Sequence, residues 1–76
     1  MAKIQNIGVG NFIRNPRGRH TPESKQQSIE VLQISSNQGN SFLCYPVKDA
    51  GAVPVTVDQS RHYFIPIDTN VERVMI

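Results

Sequence analysis

Ser28-Ile29-Glu30-Val31-Leu32-Gln33-Ile34-Ser35, Ser36-Asn37-Gln38-Gly39-Asn40 and Ser41-Phe42-Leu43-Cys44-Tyr45-Pro46-Val47 follow one another without a break, and their reading decides the fold. The first and third segments are rich in β-branched and aromatic residues, which pack well on a pleated surface. The polar segment between them carries Gly39, the residue best able to take a positive backbone φ in a tight turn. Together they predict a β-hairpin.

The same reading extends in both directions. Val53-Pro54-Val55-Thr56-Val57 alternates strictly, which puts the three valines on one face, and Pro54 suits an edge strand. Arg61 to Ile67 is a further strand with Tyr63, Ile65 and Ile67 on one face, and Val71 to Ile76 a last short one. Toward the N-terminus, Ile4 to Ile13 contains a first strand bent at Gly8 and Gly10. Turn formers separate all of these, so the expected fold is mostly β: a small antiparallel sheet or open barrel of five to six short strands. A single domain over residues 1–76 is expected, and so small a chain has a thin stability margin.

Residues 11–27 read differently. Asn15-Pro16-Arg17-Gly18-Arg19-His20-Thr21-Pro22 has two prolines and no apolar side chain to pack. It is expected to be a flexible basic N-terminal arm or loop, without fixed structure when free. Thr21 and Pro22 suit the cap and first position of a short helical turn over 22–27. Charge is concentrated here: residues 1–25 hold five cations (Lys3, Arg14, Arg17, Arg19, Lys25) against Glu23, net +4. Residues 26–76 hold three cations against five anions, net −2. That asymmetry points to an acidic or polyanionic partner.

The residues do not predict an enzyme. Cys44, the single cysteine, lies in an apolar strand and reads as a small buried hydrophobe. His20 and His62 stand in separate segments without clustered acids, so no metal or other cofactor is expected. Gly8-Val9-Gly10 lacks the third glycine and following helix of a phosphate loop. No apolar run approaches the roughly 20 residues of a membrane span. Met1 to Asn6 has no apolar stretch of a signal peptide. A soluble, cytoplasmic protein is expected.

Binding is therefore the expected activity. The candidate contact residues are Phe12, Ile13, Arg14, Arg17, Arg19 and His20. The arginine forks would engage carboxylates or phosphates, with Phe12 and Ile13 as an apolar anchor. Arg61-His62-Tyr63-Phe64 is a second candidate, because aromatics beside Arg and His can stack on bases. So small a fold is expected to need Tyr63 or Phe64 in its core, and a sheet-wide stacking platform would consume most of the available aromatics.

The short chain, its near-absence of cysteine and the Asn11–His20 basic segment ahead of a compact body resemble a family of proteins. These are the small lytic-phage regulators that bind host RNA polymerase, among them a promoter-escape inhibitor and antiterminator of a Xanthomonas phage. The resemblance implies a non-enzymatic transcription regulator docked on the large polymerase subunits near the RNA exit channel, with the basic arm toward nascent RNA or the channel wall. Two alternatives stand beside it: a small β-barrel that binds nucleic acid directly, and a virion or assembly protein.

Overall fold

A computed structural model describes residues 1–17 and 30–76. The described chain is mostly β. Eight short strands appear in it: β1 (Ala2–Lys3), β2 (Phe12–Arg14), β3 (Val31–Asn37), β4 (Ser41–Asp49), β5 (Thr56–Val57), β6 (Tyr63–Pro66), β7 (Asn70–Val71) and β8 (Arg73–Val74). All pairings are antiparallel. The β3–β4 hairpin is the centre of a six-stranded sheet, with β2 and β8 beyond β3. The far side of the nine-residue β4 is shared, with β6 on its first half and β5 on its second. β1 and β7 form a separate two-stranded sheet, and the arrangement does not close into a barrel.

The hairpin turns where the sequence placed the turn. Gly39 has φ +93°, its amide donates to Asn37 Oδ1 at 2.8 Å, and Gln38 N donates to Ser41 O at 2.8 Å. An irregularity between Ile34 and Ser36 lets Ser35 bulge out, after which Asn37 faces Phe42.

Alternation sorts the side chains. Ile13, Leu32, Ile34, Phe42, Cys44 and Ile65 point inward and meet Ile4 and Val71 to form the core. Each fully buried Ile or Leu contributes about 1.5–3 kcal/mol. The core is almost wholly aliphatic: Phe42 is its one aromatic member, and Tyr63 packs against it half-buried.

Four sequence expectations need correction. Ile4–Asn6 is a 3-10 turn rather than strand, and the chain then bends at Gly8 (φ +92°) and Gly10 (φ +94°) before joining the sheet at Phe12. Ordered strand therefore begins inside the segment read as a flexible arm. Phe12–Arg14 pairs with β3 on one side and β8 on the other, because an apolar residue at 13 can fill the core. Of the alternating stretch 53–57, only Thr56–Val57 pairs with β4, and Val53 is 98% exposed. The reversal that begins at Ala50 and Gly51 runs on as bends through Pro54, so only the end of the alternation reaches the sheet. The C-terminal strand is split at Glu72, with β7 serving β1 and β8 serving β2. The helical turn expected over 22–27 lies outside the described residues. No helix among the described residues is long and apolar enough to cross a membrane.

Candidate functional site

The basic segment leaves the sheet at Arg17, and the chain returns at Glu30. These two ends are tied together. Asn15 N donates to Glu30 O at 2.7 Å, extending the β2–β3 ladder by one bond. The Asn15 side chain continues the clamp: Nδ2 donates to Glu30 Oε1 at 3.3 Å and Oδ1 accepts from Arg17 N at 2.8 Å. Asn15 is only 3% exposed. An amide side chain can remain buried because both of its ends find partners.

Glu30 gathers further donors from the start of β6. Tyr63 Oη donates to Glu30 Oε1 at 3.1 Å, and Arg61 forms an ion pair with Glu30 at 2.9 Å. Arg61 also donates to Tyr63 Oη at 2.7 Å. The Glu30 carboxylate, helped by the Tyr63 hydroxyl, holds the guanidinium more firmly protonated than usual. Arg17 reaches across to β6, where its Nη2 donates to the carbonyl of Phe64 at 2.7 Å. His62 and Phe64 meet edge to face, centroids 5.4 Å apart.

Stretches 31 to 47 residues apart in sequence thus converge: Arg17 on Phe64, and Glu30, clamped to Asn15, on Arg61 and Tyr63. Arg17, Arg61, His62 and Phe64 are exposed there. The result is a rigid cationic and aromatic neck from which residues 18–29 depart, a stretch that carries Arg19 and Lys25 against Glu23.

The sequence-derived contact residues separate. Phe12 is half-buried and faces outward on β2, between Gln33 and Val74. Ile13 is fully buried, so it belongs to the core and cannot anchor a partner on the surface. Arg14 is ion-paired to Glu72 at 3.3 Å. Arg17 lies in the neck, and Arg19 and His20 lie outside the described residues. Asn15 and Glu30 went unread. Asn15-Pro16-Arg17 does carry a signal for half of the clamp, since Asn side chains accept an amide bond two residues on. Nothing local to Glu30 marks it as the partner of Tyr63 and Arg61.

Cys44 is buried, and burial pushes its thiol up to about 11. A thiol held protonated at neutral pH is a poor nucleophile. Among the described residues, no group of three His, Cys, Asp or Glu side chains could hold a metal ion.

Comparison with family models, curated proteins and solved structures gives no match to this chain.

Proposed function

We propose that this chain is a non-enzymatic regulator of the lytic-phage type, which binds host RNA polymerase and inhibits initiation or antiterminates transcription. The observation supporting a binding role is the neck: Arg17 and Arg61 are held at fixed positions beside exposed His62 and Phe64, at the root of a basic segment. Pre-positioned arginines beside an aromatic are the usual composition of interface hot spots. The resemblance supplies the partner. An acidic surface on a larger machine would be steered toward this cationic neck, and association would slow as salt rises.

Affinity capture from bacterial lysate with tagged protein, with and without nuclease, tests the reading. Retention of the large polymerase subunits after nuclease treatment is the expected result. Recovery of nucleic acid alone, or of no polymerase, would overturn it.

A further inference from the structure

The aliphatic core has a consequence on the opposite face of the sheet. With Ile4, Ile13, Leu32, Ile34, Ile65 and Val71 filling the interior beside Phe42, three of the five aromatics, Phe12, Tyr45 and Phe64, are left on the outward face. The strand pairings place them side by side. Phe12 faces Gln33, and Gln33 faces Tyr45. Leu43 faces Phe64, whose ring meets His62 edge to face. All of these outward positions alternate with buried ones along their strands.

A row therefore runs across β2, β3, β4 and β6: Phe12, then Gln33, then Tyr45, then Phe64 on the diagonal beside Leu43, with His62 against it. Three strand spacings of about 4.8 Å give the row a length of about 14 Å. Sheet-surface readers of single-stranded RNA stack two or three bases on such a row. Phe64 is 45% exposed, and its ring is open to a stacking partner on the side away from His62.

Cations stand at both ends of the row. Arg14 projects from β2 on the same face as Phe12, ion-paired with the exposed Glu72 from which a phosphate would have to draw it, and Arg17 is fixed to the Phe64 carbonyl at the β6 edge. Beside the row, the face sinks into a largely apolar recess of about 450 Å³ between Val31, Val47 and Val74, with Lys48 and Glu30 on its margin. Rings spaced along a sheet, with guanidinium groups at each end, match alternating bases and phosphates.

We infer that the outward face of the sheet is a binding surface for single-stranded nucleic acid, with Phe12, Tyr45 and Phe64 stacking on bases and Arg14 and Arg17 contacting phosphates. Duplex is excluded because its bases are already stacked on one another and present no free faces. This inference does not depend on polymerase binding, and its test uses no polymerase.

The test is fluorescence anisotropy of labelled oligothymidylate and oligouridylate, about ten nucleotides long, with the full chain at about 50 mM salt and above. Tyr45→Leu and Phe64→Leu keep an apolar side chain but remove the ring, and circular dichroism verifies that each is folded. Each is expected to weaken binding about tenfold. Arg17→Gln should reduce the salt slope by about 0.7, the release expected from one single-strand phosphate contact. With no tryptophan in the chain, tyrosine emission reports directly, and quenching on binding should be lost in Tyr45→Leu.

Equal binding of both oligomers supports a face that reads the chemistry common to DNA and RNA. Binding of oligouridylate alone supports it with RNA as the ligand, through the 2′-hydroxyl. Absence of binding at low salt, equal affinity for duplex, or leucine variants that bind as wild type would each overturn it.

Discussion

Replacing Asn15 by alanine isolates the clamp on which the neck depends. The substitution leaves the backbone bond from Asn15 N to Glu30 O in place and removes two side-chain bonds, to Glu30 Oε1 and from Arg17 N. Each such bond contributes about 1 kcal/mol net. The bond to Glu30 involves a carboxylate, which would raise its share, but it is long at 3.3 Å and Glu30 is partly open to water. The Arg17 amide loses its acceptor outright. The expected loss is about 2 kcal/mol, which for a domain of this size lowers the thermal midpoint by roughly 10 °C. Thermal unfolding followed by circular dichroism, with a urea titration for the free energy, measures it. Asn15→Asp keeps the acceptor for Arg17 but sets a second carboxylate against Glu30, so it should be no better than alanine; adding Glu30→Gln to it should restore part of the loss. An alanine variant within about 0.5 kcal/mol of wild type, or an aspartate variant as stable as wild type, would refute the idea that this side chain holds the neck.

Other perturbations bear on the core and the turn. Ile13→Ala should cost about 2–5 kcal/mol by urea denaturation, as a fully buried side chain does; a surface anchor would lose binding at almost unchanged stability. Gly39→Ala, at φ +93°, should destabilise the hairpin by about 1 kcal/mol in the same assay. Cys44 gives a pH signature. Its thiol is raised from 9.0 to about 11 in the folded chain, so the unfolded chain gives up its proton first. Stability should be independent of this group below pH 9, fall between pH 9 and about 11, and level off beyond; Cys44→Ala should flatten that part of the curve.

Much of the fold was legible because it is written locally. The hairpin, its Gly39 turn, the inward face of Tyr63, Ile65 and Ile67 and the burial of Cys44 all follow from alternation and turn chemistry over a few residues. The misreadings share a cause. Val53–Val57 has the period of a strand, but pairing depends on whether the preceding turn delivers the chain to an edge, and only Thr56–Val57 arrives there. Phe12 and Ile13 looked alike as an apolar pair, yet successive strand residues face opposite ways, and one belongs to the surface while the other fills the core.

The candidate site was half legible. Arg17 and Arg61–Phe64 were both singled out in the sequence, but as separate surfaces, because only the folded sheet brings Arg17 to the Phe64 carbonyl. The expectation that the core needs Tyr63 or Phe64 was met by Tyr63, which packs against it beside Phe42, while Phe64 stays on the surface for a simple reason. Five isoleucine and leucine side chains, with Val71, Cys44 and Phe42, already fill the interior.

The most direct test of the account is binding of purified bacterial RNA polymerase to the immobilised protein over a series of salt concentrations, comparing wild type with the Arg14→Ala, Arg17→Ala, Arg19→Ala triple variant. Wild type is expected to bind with an association rate that falls as salt rises, and the triple variant to lose most of its affinity while remaining folded by circular dichroism. A triple variant that binds polymerase as tightly as wild type would contradict the claim that these arginines make the contact.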